Sequence, residues 1–151
     1  ARSKAWRIAT AESCTGGLLA GSLTDIPGSS DVFERGFVTY SNASKIEMLG
    51  VDPALISAHG AVSEEVAAAM ARGAFARSEA TLAVSTTGIA GPGGSEFKPE
   101  GRVCFGLASP AGVSTRTIDF GDVGRAQVRT AAVETALRLL ATALDQAAPI
   151  S

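Results

Sequence analysis

The chain has 151 residues, of which 46% are hydrophobic and 19% charged, and its 13 basic and 15 acidic side chains leave a net charge of −2. That size and balance describe a single globular domain with a core of its own. They argue against a nucleic-acid partner, which calls for a basic face and, for single strands, an aromatic stacking platform.

No apolar run approaches the ~20 residues of a membrane span, so no membrane partner is expected and a cytoplasmic location is. Cys14 and Cys104 are far apart and show no C-x-x-C spacing, which fits two reduced thiols. The chain starts without Met and almost directly on its first strand, so an upstream segment is expected to precede it.

In chain order, Trp6–Ala11 reads as a first strand and Thr15–Thr24 as a first helix, with a Pro-Gly-Ser turn over Asp25–Ser30. Val32–Tyr40 is rich in β-branched and aromatic residues and predicts a second strand, with Gly36 a candidate bulge. Ser41–Leu49 reads as a short helix capped by Ser41 or Asn42 and closed by Gly50, and Pro53–Ala58 as another helical turn. Ser63–Arg77 is the clearest amphipathic helix: Val66, Ala67, Met70, Ala71, Ala74 and Phe75 recur at helical spacing.

Thr81–Thr87 predicts a buried strand, followed by a glycine-rich loop from Gly88 to Gly101 that is long enough to suspect function. Arg102–Ser109 and Val113–Phe120 form a hairpin across Pro110–Gly112, and a long helix runs from Asp122 to about Gln146. Alternating strands and helices, then a hairpin, then a final helix predict an α/β fold: a three-layer α/β/α sandwich with a mixed β-sheet, in one domain.

Chemistry-bearing residues concentrate in four places. Ser13 lies in Thr10-Ala-Glu-Ser-Cys-Thr-Gly-Gly17, where a strand gives way to a helix, and it can cap the helix, hold an anion or act as a nucleophile. The stretch lacks the lysine of a P-loop and the glycines of a G-x-S-x-G elbow. His59, the only histidine, has no evident carboxylate to orient it as a base, and a structural role is expected.

Gly16 and Gly17, in the expected first turn, point to a surface that approaches the backbone closely. Cys14 is a rival nucleophile, because helix N-termini lower thiol pKa. Lys45, early in a helix after Tyr40, is either a desolvated base or a solvated surface lysine. Thr87, Gly88 and Gly91 open a loop whose N–H groups suit a phosphate or an oxyanion. Arg125 and Arg129, four apart near the start of the last helix, either hold an anion or pair with Asp122 or Glu134. No metal-ligand spacing is present, and no metal or cofactor is expected.

These motifs, together with Gly36-Phe-Val-Thr-Tyr-Ser-Asn42, His59-Gly-Ala-Val-Ser63 and Gly88-Ile-Ala-Gly-Pro92, occur in the order of the C-terminal domain of the CinA family, and nearly the whole chain resembles it. The resemblance implies a homo-oligomeric amidohydrolase that converts nicotinamide mononucleotide to nicotinate mononucleotide and ammonia in pyridine nucleotide salvage. It implies Ser13 as nucleophile, with Lys45, Tyr40 and Thr87 in the catalytic site and an arginine of the last helix, Arg125 or Arg129, on the substrate. Thr15, Gly16, Gly17, Gly88 and Gly91 are further candidate substrate contacts. A non-catalytic nucleotide- or phosphate-binding module, or an interaction domain of a competence or damage response, stands as the alternative.

Overall fold

The computed structural model describes residues 1–95 and 97–150. Its strands are β1 (Ile8–Glu12), β2 (Phe33–Val38), β3 (Leu82–Gly88), β4 (Arg102–Ser109) and β5 (Gly112–Asp119). Its helices are α1 (Leu18–Thr24), α2 (Asn42–Leu49), α3 (Pro53–His59), α4 (Glu64–Ala76) and α5 (Arg125–Gln146), with short 3-10 turns at Arg2–Lys4 and Ser29–Asp31. One sheet runs in the order β2-β1-β3-β4-β5; β1 is parallel to both neighbours, and β4 and β5 are antiparallel additions. The three-layer α/β/α architecture with a mixed sheet is therefore the one expected.

Strand alternation divides the core in two. Ile8, Leu82, Val84, Val103 and Phe105 face α1 and α5, where Leu19, Val128, Ala132, Ala136 and Leu140 cover them. Ala9, Ala11, Ala83 and Ala108 face the other way, toward Val66, Met70, Ala71 and Ala74 of α4 and Leu49 of α2. The small side chains on this second face let α4 lie close to the sheet. Gly106 marks the tightest approach: a Cβ there would lie 2.3 Å from Ala67 O on α4. Ser85 Oγ donates to the same carbonyl at 2.6 Å, which ties β3 to the helix at that point.

Several boundaries differ from the expectation. The first helix starts at Leu18, not Thr15, because Gly16 and Gly17 have φ of 56° and 99° and cannot continue a right-handed helix. They form the turn ahead of the helix rather than its first turn. The irregularity between β1 and β2 falls at Glu34, between the pairs Ile8↔Phe33 and Ala9↔Arg35, while Gly36 pairs regularly with Thr10. Gly36 is glycine for a different reason, since a Cβ there would sit 2.8 Å from Thr10 Oγ1. The last helix starts at Arg125, after Gly124 with φ 102°.

The first turn of the crossover logic sets the position of the site. From β1 the chain passes through α1 to β2 on one side, while β3, reached through α4 on the opposite face, occupies the other side of β1. The carboxyl ends of β1, β2 and β3 thus open a crevice at the point where the direction of winding reverses, the usual place for a ligand in such a sheet.

The Gly106–α4 approach carries a stability consequence. Gly106→Ala is expected to lower the unfolding free energy by about 1–3 kcal/mol through overpacking. Gly21→Ala on α1, where an added Cβ meets nothing within 4 Å, serves as the tolerated control. Urea titration of both variants measures this, and equal midpoints would contradict the close packing of α4 on β4.

Candidate active site

The crevice is an open cleft of about 380 Å³, within the range of small-ligand sites. Ser13 and Cys14 from the end of β1, Tyr40 from the end of β2, Thr87 and Gly88 from the end of β3, Lys45 from α2 and Arg125 from α5 line it. Residues separated by up to 112 positions in the chain meet there because three parallel strands end side by side.

Lys45 is the most unusual of them. Its side chain is 1% exposed. Ser41 caps α2 by accepting Ser44 N–H at 3.0 Å, which places Lys45 one turn inside the helix and directs it back under the end of β2. There Nζ lies 2.9 Å from Thr39 O, 3.2 Å from Tyr40 O and 3.0 Å from Ser13 Oγ. No carboxylate pairs with it among the described residues. Burial without a counter-ion disfavours the ammonium, and the Lys45 pKa falls from 10.5 to about 8; the nearby Cys14 opposes this slightly.

The geometry assigns the protons of the neutral amine. It has two N–H bonds and one lone pair. Backbone carbonyls only accept, so the two N–H groups go to Thr39 O and Tyr40 O. The lone pair is left for Ser13, the only one of the three partners with a proton to give. Ser13 itself is 8% exposed and its N–H donates to Thr86 O at 2.9 Å, which continues the sheet pairing one residue past β1.

Ser13 does not cap α1. That role belongs to Glu12, a residue the sequence reading passed over. Its fully buried carboxylate accepts from Thr15 Oγ1 at 2.6 Å and from the N–H groups of Gly17, Leu19 and Ala20 at 3.2, 2.9 and 3.0 Å. A carboxylate three residues ahead of a Thr-Gly-Gly turn was the available signal. Cys14 also departs from expectation as a rival nucleophile: burial foremost, with Glu12 adding to it, pushes its thiol up to about 12.

The remaining candidates divide between the cleft and its scaffold. Thr15, offered as a substrate contact, has its hydroxyl turned inward between Glu12 and Thr86 Oγ1. Gly16 N–H bonds Ser13 O and Gly17 N–H bonds Glu12, so neither is open to a substrate. Thr87, at the cleft floor, donates its hydroxyl to Ala61 O at 2.8 Å. Tyr40 is 59% exposed at the rim.

The two arginines separate cleanly. Arg125 reaches across the cleft mouth, donating to Tyr40 Oη and to Gly91 O, each at 2.7 Å. Arg129 lies behind the site, where it holds Cys14 O at 3.1 Å and Thr15 O at 3.5 Å and rests against Gly16. Neither pairs with Asp122 or Glu134. In the glycine-rich loop, Gly93 N–H already meets the Glu100 carboxylate, so that donor of the expected phosphate cradle is occupied from within. His59 sits outside the cleft on another surface, with Glu65 Oε2 3.9 Å from its Nδ1. Among the described residues no metal-binding group of three or more His, Cys, Asp or Glu forms, and no helix is long and apolar enough to cross a membrane.

Residues 1–144 match the family model described as the CinA C-terminal domain. A CinA-like protein of Chlorobium phaeobacteroides is 58% identical over 142 residues, covering 91% of this chain and 34% of that protein. A CinA-like protein of Mycobacterium avium is 63% identical over 113 residues, covering 74% and 26%. The chain thus spans about a third of the length of the curated relatives it matches. Among solved structures, the competence/damage inducible protein CihA of Agrobacterium tumefaciens superposes with TM-score 0.90 at 51% identity, covering 94% of this chain and 87% of that one. The competence damage-inducible protein A of Klebsiella pneumoniae gives 0.92 at 34% identity, covering 96% and 90%. The chain belongs to the CinA C-terminal domain family.

The buried amine makes a prediction about stability. Between pH 8 and 10.5 the unfolded chain binds a proton at Lys45 that the folded chain does not, so folding stability rises with pH across that window. Relative to Lys45→Met, which carries no such proton, wild type should gain roughly 3 kcal/mol over it, at about 1.4 kcal/mol per pKa unit. Urea unfolding of both proteins at pH 7.5, 9 and 10 measures the difference. A gap between them that does not change with pH would contradict a desolvated amine.

Proposed function

We propose that this CinA-family domain hydrolyses the carboxamide of nicotinamide mononucleotide to nicotinate mononucleotide and ammonia, with Ser13 as nucleophile and Lys45 as general base. The observation that carries the reading is the buried Lys45 amine, 3.0 Å from Ser13 Oγ and held by two carbonyls that leave its lone pair to the serine proton.

An amide is a poor electrophile with a poor leaving group, so it needs an activated hydroxyl, oxyanion donors and a proton for the departing nitrogen. In this reading neutral Lys45 takes the Ser13 proton as Oγ bonds to the carboxamide carbon. The tetrahedral adduct then collapses: its C–N bond breaks, the Lys45 ammonium returns the proton, and ammonia leaves a nicotinoyl ester on Ser13. Water attacks that ester with Lys45 accepting its proton. The C–Oγ bond breaks, the proton passes to Oγ, and nicotinate mononucleotide departs.

Gly16 and Gly17 N–H are engaged elsewhere and Thr15 is buried off the cleft, so the N–H of Gly88 on the cleft wall is the donor offered to the oxyanion. Arg125 supplies the cation for the nucleotide phosphate. Its two present partners, a tyrosine hydroxyl and a carbonyl, are neutral, so a phosphate can replace them with a charge-assisted bond. Tyr40 and the 88–94 loop then frame the nucleotide. Thr87 braces the floor through Ala61.

The reading is tested by incubating the protein with nicotinamide mononucleotide and following ammonia and nicotinate mononucleotide. Ser13→Ala is expected to lose about a thousandfold or more of the turnover. Because the base must be neutral, kcat/KM should climb with pH and level off above about 8. Normal turnover in Ser13→Ala would overturn the assignment.

A further inference from the structure

Glu12 is a fully buried carboxylate immediately ahead of the nucleophile, and the mechanism above does not use it. No ion pair involves it among the described residues. Burying an unpaired charge is expensive unless hydrogen bonds replace its water, and here four donors do so. A carboxylate held this way does more than close a helix end. A serine or threonine cap would satisfy one N–H, whereas Glu12 gathers the N–H groups of Gly17, Leu19 and Ala20 and the Thr15 hydroxyl. Its backbone is fixed as well, since Glu12 O accepts Thr39 N–H at 2.8 Å on the β2 side and the strand pairs with Thr86 on the β3 side.

The consequence falls on Ser13. The turn from Ser13 to Gly17 is closed by Gly16 N–H to Ser13 O and tied at its far end to Glu12, so the direction of the Ser13 side chain depends on that carboxylate. We propose that Glu12 is the positioning residue of this site: by capping α1 from within the core and tying down the turn that follows the nucleophile, it fixes Ser13 toward Lys45. This rests on the reading of Ser13 and Lys45 as a reactive pair, but not on the identity of the substrate.

The test therefore uses labelling as well as turnover. Glu12→Gln keeps the shape and the acceptor facing Thr15, Gly17 and Leu19 but removes the charge. Thr15→Val keeps the charge and removes one donor. Each folded variant is reacted with a fluorophosphonate probe, and Ser13 labelling is read by mass spectrometry; alkylation of Cys14 and Cys104 by iodoacetamide is followed in parallel. The expected result is that Glu12→Gln slows Ser13 labelling and lowers kcat by tenfold or more, with KM within about twofold, while alkylation of both cysteines stays slow. Thr15→Val is expected to slow labelling less.

Loosening of the fold would expose the buried cysteines, so unchanged alkylation of Cys14 and Cys104 separates the positioning role from a structural one. Should Glu12→Gln unfold, Thr15→Val still reports: labelling at the wild-type rate in that variant overturns the proposal, as it does in Glu12→Gln. Wild type that labels at Ser13 but releases no ammonia from nicotinamide mononucleotide sinks the substrate assignment and leaves Glu12 standing. Wild type that does not label at all overturns the positioning role.

Discussion

The contact between the Lys45 amine and the Ser13 hydroxyl is the constraint on which the rest of the site depends. It requires a long cationic side chain to leave water entirely, and the fold gives it no carboxylate in return. What it receives is two carbonyls at the end of β2, which can accept but not donate. That one-sidedness makes the arrangement chemically directed. A carboxylate partner would have held Lys45 charged; two carbonyls hold it in place and leave its basicity for the serine.

Two buried ionisable groups serve the site, Glu12 at the end of β1 and Lys45 on α2, and each is treated differently. Lys45 is desolvated and inclined to lose its charge, whereas the Glu12 carboxylate accepts from four donors. Both depart from what a stable core prefers: Glu12 ends β1, and the Lys45 amine, carried on α2, reaches the carbonyls of Thr39 and Tyr40 just past β2. Conflict between local preference and burial is expected to gather at a functional site. The helical layers elsewhere show no such conflict: alanines and branched aliphatics fill both faces of the sheet.

Much of the fold is legible in the residue pattern, because periodicity is a local property. The stripe on α4 and the strand β4 emerge with nearly their observed limits, and Ser41, Ser63 and Gly50 act at the helix ends where their chemistry places them. The start of α1 is displaced because two glycines weigh little against helix formation until their positive φ is known. Ser13 and Lys45 stand out separately as reactive types, but 32 positions divide them, and only the parallel pairing of β1 with β2 brings them into contact. Arg125 and Arg129 share a helix face and an identical side chain. What distinguishes them, the cleft mouth for one and the carbonyls of Cys14 and Thr15 for the other, is purely tertiary. Glu12 escaped notice because a glutamate at a strand end ordinarily faces solvent, and its burial follows from a turn that no periodicity describes.

The chemistry of the site turns on the protonation of one amine. Lys4, Lys45 and Lys98 are the only lysines in the chain, so a sample labelled with 13C at the lysine ε-carbon gives three signals, assigned through Lys45→Arg. Titration from pH 6 to 11 should show the Lys45 signal moving with a midpoint near 8. A Lys45 signal with its midpoint in the ordinary lysine range near 10.4 would contradict a neutral base at this site.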